Sequence, residues 1–352
     1  MGLSKVDVST CWMKFEDGYT NLYEASQNSH LEVVKFLVEE GVDINASHEF
    51  SSETSDSLMG VHLNFREGWI HQPPLGFSEC FSLRKAQTSM LVDRDTSLYF
   101  ASRNGHLEVV NFLVEKGANL NASEKDKYTS LLIGSQEGRL EVVKFLIETV
   151  VHPAMELLAP SHVLTGISDK DGYTSVYLAS QNGHLEVVKF LVEKGANINA
   201  SHESRSETSG TIMEKDGNTS LYLASQNGHF KVVKFLVEKG ADVNASQKDG
   251  YIGLYKASQN GHLEVVKFLV EKGANINAGQ KGGYTTLHLT SLNGHLVVVK
   301  VLIEKGANIN AREKDRYTIF YLATQKGHLN VVEFLIAKGA NIKAGRASIS
   351  PQ

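Results

Sequence analysis

The apolar positions of this chain recur in a fixed pattern. The stretch from Asp171, DGYTSVYLASQNGHLEVVKFLVEKGANINAS, shows it most clearly. Asp171-Gly172 is a turn signal. Thr174 is placed to cap a short helix running to Asn182, and Gly183 stops it. A second helix is predicted from His184. Its Leu185, Val188, Leu191 and Val192 recur at helical spacing, and Val187 and Phe190 widen the stripe. Lys194-Gly195 then sets a cation and a glycine where a helix C-terminus favours them.

The same unit returns along the chain. The marker threonine falls at Thr20, Thr96, Thr129, Thr174 and Thr219, is replaced by Ile252, and returns at Thr285 and Thr318. The steps are 76, 33, 45, 45, 33, 33 and 33, so the period is 33 with irregular insertions. Each predicted helix is shorter than the ~12–15 residues that make an isolated helix even marginal. One copy cannot bury its apolar face alone, and stacked copies can, which predicts a solenoid.

Turn, Thr-x-Leu-x-x-Ala, Gly-His, Val-Val, Leu and Gly-Ala-Asn-x-Asn at this period resemble the ankyrin repeat. The resemblance implies an all-α fold, an ankyrin-type helical solenoid of eight repeats with short β-turn fingers. It spans about three quarters of the chain. The family's Thr-Pro-Leu-His reads Thr-Ser-Leu-Tyr in the clearest copies here, and only His288 keeps the histidine. Loss of the proline, which is pre-organised for a helix start, predicts lower stability per repeat.

The organisation read from the pattern is as follows. A lead occupies 1–14, repeat 1 is 15–47, and an insertion fills 48–90. Repeats 2 and 3 occupy 91–148, and a second insertion fills 149–168. Repeat 4 is 169–201, a Ser/Glu-rich spacer is 202–213, repeats 5–8 are 214–345, and a tail is 346–352. With its preceding Ser201 the spacer reads SHESRSETSGTIM, and a near copy, SHEFSSETSDSLM, runs from Ser47 into the first insertion. Residues 66–83, REGWIHQPPLGFSECFSL, back-translate and read one base later as EKDGYTNLHLASQNASHL. That is the repeat itself, so we read 60–90 as a ninth copy lost to a frameshift.

Composition narrows the function. The formal net charge is −5, which leaves no basic footprint for nucleic acid. No apolar run approaches the ~20 residues of a membrane helix. Residues 1–14 carry no stretch that reads as a signal peptide. Two cysteines, Cys11 and Cys80, build no disulfide framework and suit a reducing compartment, so a cytoplasmic location is expected, with the nucleus open.

Candidate chemistry reduces to binding. Seven histidines, among them His184, His229, His262, His295 and His328, follow the helix-breaking glycine or its equivalent. Stacked helices sit ~8–10 Å apart and zinc ligands must reach ~2.0–2.1 Å, so such histidines cannot share a metal and read as structural. No cofactor, no metal and no catalytic constellation is expected, since a repeat gives the same residues eight times. Asn-Ala-Ser sequons at Asn45, Asn121, Asn199 and Asn244 are not expected to be glycosylated without a secretory signal. Leu236 through Asn244 resembles the site of an asparaginyl hydroxylase, which marks Asn244 for modification.

The tyrosines before the marker threonine stand apart: Tyr19, Tyr128, Tyr173, Tyr251, Tyr284 and Tyr317. In the family this place lies at the finger, facing the concave surface, and exposed tyrosines suit interfaces. A strut that stacks on its neighbour is the equal alternative, and both readings stand. Gln181, Asn182, Gln226, Asn227, Gln259 and Asn260 end the first helices and carry on the same surface. The expected function is a non-catalytic, monomeric protein–protein scaffold that binds an unnamed protein partner on this face. The alternatives are a targeting or adaptor module of a larger assembly, and an enzyme with its site in the insertions.

Overall fold

The computed structural model describes residues 21–45, 96–120, 129–150, 174–199, 218–246, 249–279, 282–313 and 317–342. The lead, the 48–90 insertion, the 202–213 spacer and the tail lie outside the described residues. So does the 149–168 insertion beyond its first two residues. Among the described residues the regular structure is sixteen helices and two isolated antiparallel bridges, with no sheet.

The helices come in eight pairs. They are α1 Asn21–Gln27 with α2 Leu31–Glu39, α3 Ser97–Asn104 with α4 Leu107–Glu115, and α5 Ser130–Gln136 with α6 Leu140–Val150. Next come α7 Ser175–Asn182 with α8 Leu185–Glu193, and α9 Ser220–Gln226 with α10 Phe230–Glu238. The last are α11 Gly253–Gln259 with α12 Leu263–Glu271, α13 Thr286–Leu292 with α14 Leu296–Glu304, and α15 Ile319–Gln325 with α16 Leu329–Ala337.

The predicted caps are present. Thr129, Thr174, Thr219 and Thr318 sit in extended backbone, and each side chain accepts the N–H three residues on. Ile252, in the same place, has no such bond. Gly183 ends α7 at φ +81, a left-handed conformation that only glycine adopts cheaply.

The chain divides into two compact units, Met1–Ala101 with Glu108–Asp126, and Ser102–Leu107 with Lys127–Gln352. In the first unit Tyr23 packs edge-on against Phe100, with ring centroids 4.2 Å apart. In the second, first helices stack in chain order from α5 through α7, α9, α11 and α13 to α15, and second helices follow in a looser parallel row. The apolar stripe read from the sequence is the core: Val188, Val233, Val266 and Val299 are wholly buried, and so are Leu236, Leu269 and Leu302. Small residues at Ala179, Ala224 and Ala257 let the first helices close on one another. Ser135 and Ser225, buried beside them, return their hydroxyls to the carbonyls of Leu131 and Leu221.

Candidate binding surface

The fingers carry Tyr251, Tyr284 and Tyr317 at one equivalent place in three consecutive repeats. All three are half-buried. Each packs on the residue four positions later, which lies in the first helix. Tyr251 tilts against Tyr255 at 4.7 Å between centroids, Tyr284 stands edge-on to His288 at 5.9 Å, and Tyr317 stacks on Tyr321 at 5.1 Å. The Lys256 ammonium lies 5.2 Å from the centre of the Tyr251 ring, and burial lowers its pKa. Tyr19, Tyr128 and Tyr173 lie outside the described residues.

Behind the fingers runs a buried row. Tyr177, Tyr222 and Tyr255 fill the place of the family's histidine, and Tyr177 and Tyr222 share an apolar cluster with Leu132, Leu178 and Leu223, against which Tyr251 also packs. Burial raises the Tyr255 phenol far above its ordinary pKa, reinforced by the neighbouring Tyr251. His288 alone completes a reciprocal cap. The Thr285 N–H donates to its Nδ1 at 3.1 Å, and the Thr285 hydroxyl lies 2.8 Å from the same nitrogen. Where a threonine precedes a tyrosine only the threonine half survives, as at Thr219 Oγ1, which accepts the Tyr222 N–H at 3.2 Å. Burial also lowers the pKa of His288.

The amides at the ends of the first helices join repeats. Asn182, Asn227 and Asn260 are exposed, yet their Nδ2 groups donate to the carbonyls of Gln136, Gln181 and Gln226 at 3.1, 2.7 and 2.8 Å. Gln181, Gln226 and Gln259 are half-buried, and their carbonyls form the other side of these joints. The same carbonyls receive the histidines. His184, His229, His262 and His295 place Nε2 at 2.9–3.0 Å from the carbonyls of Gln136, Gln181, Gln226 and Gln259. Each ring lies flat over a glycine of the preceding repeat. A Cβ at Gly183 would fall 2.6 Å from Nδ1 of His229, and one at Gly228 would fall 2.6 Å from Nδ1 of His262. The histidines are pegs between repeats.

A second ladder of asparagines was not foreseen as a unit, although its signal was the Gly-Ala-Asn-x-Asn period itself. Asn244 Oδ1 accepts the Asn275 N–H at 2.8 Å, Asn277 the Asn308 N–H at 3.0 Å, and Asn310 the Asn341 N–H at 3.0 Å. Asn244 is exposed, but its Nδ2 also donates to the Gly273 carbonyl at 3.2 Å, so both ends of the amide are engaged.

Several lysines of the second helices are engaged locally. Lys144 pairs with Glu141 at 2.8 Å and Lys189 with Glu186 at 2.7 Å. Lys194, Lys239 and Lys272 lie over Phe190, Phe235 and Phe268.

Models of ankyrin repeats match residues 17–49, 78–155, 171–203, 201–280 and 254–345. Among curated proteins, a segment is 52% identical over 52 residues to BRCA1-associated RING domain protein 1 of Caenorhabditis elegans, covering 15% of this chain and 7% of that protein. Another is 31% identical over 104 residues to an ankyrin repeat protein of Rickettsia bellii, covering 30% of this chain and 36% of the relative. The matches thus span well under half the length of either relative.

Proposed function

Because the chain belongs to the ankyrin repeat family, we propose that it is a non-catalytic scaffold binding a protein partner on the face of its fingertips and first helices. Ankyrin repeats are in general protein–protein interaction modules and are generally non-catalytic. The observation that carries the choice of face is the row Tyr251, Tyr284 and Tyr317, each half-buried and held from behind by Tyr255, His288 or Tyr321. A ring already fixed in place loses little conformational freedom when a partner covers it. It offers a large apolar area with a hydroxyl at its rim. On the second helices of repeats 3 and 4, by contrast, Lys144 and Lys189 are already paired with Glu141 and Glu186.

A second reading is favoured by the partial matches. The matched segments occupy only part of each relative, 7% in one and 36% in the other. That is the pattern of an adaptor module within a bigger assembly, and the same face would serve it.

The test is a variant carrying Tyr251→Ala, Tyr284→Ala and Tyr317→Ala, against a partner identified by cross-linking and then purified. Interface tyrosines that act as hot spots cost ~2 kcal/mol or more on truncation. The triple variant should lose at least tenfold in affinity, while Lys234→Ala with Lys267→Ala on the outer face should lose little. A triple variant that binds normally and melts lower would make the tyrosines struts and move the binding face elsewhere.

A further inference from the structure

The first helices of the second unit carry one ionic side chain among apolar and amide ones. Of the Lys, Arg, Asp and Glu residues of the chain, only Lys256 falls within α5, α7, α9, α11, α13 or α15. Its equivalents, four residues after the marker position, are Ile133, Leu178, Leu223, Leu289 and Leu322. Leu289 is half-buried and the other four are buried. A lysine therefore stands where the array otherwise places an aliphatic side chain.

Lys256 is half-buried, and its ammonium lies 5.2 Å from the centre of the Tyr251 ring. That ring packs in turn on Tyr255 and on the cluster that holds Tyr222 and Leu223. The contact sets the cation on the face of the fingertips. Among the described residues its ammonium makes no ion pair and no hydrogen bond. Burial lowers its pKa, and no neighbouring carboxylate raises it again. The helix does not need the lysine to close, because α5, α7, α9, α13 and α15 have no basic residue in their last turns. A cation faced only by a ring has given up part of its hydration without a counter-charge in return.

We propose that Lys256 sets the specificity of the fingertip face by pairing with a single Asp or Glu side chain on an otherwise apolar protein segment. This rests on the reading of that face as the binding surface and names the chemistry of its partner. A segment that covers the face takes the ammonium out of water, and a covered charge left unpaired is costly. A wholly apolar segment is therefore rejected, and one that brings a carboxylate to Nζ is accepted. The net charge of −5 disfavours a long acidic run, so one carboxylate fits better than a cluster. Tyr251 and Tyr284 offer their rings to the apolar residues beside it.

A displayed library of random peptides, panned on the full chain, tests this. Peptides whose binding depends on Tyr251, Tyr284 or Tyr317 should share one Asp or Glu at a fixed place among apolar residues. In a synthetic consensus peptide, changing that acid to Ala should weaken binding to the parent by about tenfold or more. Lys256→Leu, which installs the residue of Leu223 and Leu289, should bind the acid and Ala peptides alike, within about twofold. Lys256→Glu, which installs the residue that repeat 1 carries as Glu24, should select Lys or Arg at the same place. Both replacements already occur there in other copies, so circular dichroism should report unchanged helix content. If Lys256→Glu fails to fold, Lys256→Leu alone decides. Peptides that need the tyrosines but share no acid, or whose acid contributes as much with Lys256→Leu as with the parent, overturn the proposal and leave the binding face standing. A library that yields no peptide dependent on the tyrosines overturns both.

Discussion

Two glycines in equivalent places separate the energy of the inter-repeat joint from that of the backbone turn. Gly228 and Gly327 both follow a first helix and are left-handed, at φ +75 and +72. Alanine at either position carries the cost of a left-handed L-residue, about 1–2 kcal/mol. Among the described residues, only Gly228 of the two has a histidine packed on it. There the new methyl would stand 2.6 Å from Nδ1, 2.8 Å from Cε1 and 2.9 Å from Cγ of His262, all inside contact distance. The ring cannot retreat without lengthening its 2.9 Å contact with the Gln226 carbonyl. Losing that hydrogen bond costs about 0.5–1.5 kcal/mol net, and forced overpacking typically costs ~1–3 kcal/mol. Part of the last two is the same displacement, so Gly228→Ala should destabilise by about 2–5 kcal/mol in all, and Gly327→Ala by about 1–2 kcal/mol. Urea unfolding of the full chain in dilute solution, followed by circular dichroism, gives the comparison. Hydrogen exchange in α9 to α12 shows whether the loss is local, since a stack need not unfold in one step. Equal losses at the two positions, or a larger one at Gly327, would refute the peg as a source of stability.

Further outcomes follow from the cap and from the stack. Burial lowers the pKa of His288 below its ordinary value of 6.5, so the unfolded chain takes up a proton that the folded chain resists. The stability tied to this residue is complete above pH ~6.5 and is lost as the pH falls through and below that value. His288→Tyr, which installs the residue of six other copies, should lose less stability than the parent between about pH 8 and about pH 5; parallel urea midpoints in the two proteins would contradict the assignment. Residues 214–345 hold four helix pairs, above the three or so that a solenoid needs, and should fold alone with a cooperative melt, whereas residues 1–59 should not; a featureless melt of the longer fragment would count against nearest-neighbour stacking.

The helix pairs, their threonine caps and their buried stripe were legible in the sequence because each rests on spacing within a single copy. Thr219 and Leu236 do in the structure what their positions predict. The joints were less legible, because they link a side chain to a backbone carbonyl whose identity the sequence does not encode. His262 reads as structural, but nothing in the sequence says that it meets the carbonyl of Gln226. For the same reason Asn182, Asn227 and Asn260 look like free surface amides, while their Nδ2 groups already hold the preceding repeat. The fingertip tyrosines fall between the two readings that the sequence left open. They are half-buried and braced by their own first helices, yet neither sealed in the core nor fully free.

The histidine joint also bears on how such a chain can change over generations. His229 and Gln181 are 48 residues apart, and His262 and Gln226 are 36 apart, yet both pairs meet at 2.9 Å. Twelve additional residues in the connecting strand of sequence leave the joint untouched. Each joint needs only the peg of one copy and the main chain of its neighbour, and nearly every copy supplies both; in the third, Arg139 takes the place of the histidine and donates to the Arg103 carbonyl. Unequal recombination between copies of the coding segment would therefore add or delete a whole unit and leave compatible joints on either side. Copy number is the quantity most free to drift, and selection acts on the surface the array displays more than on the count of its parts.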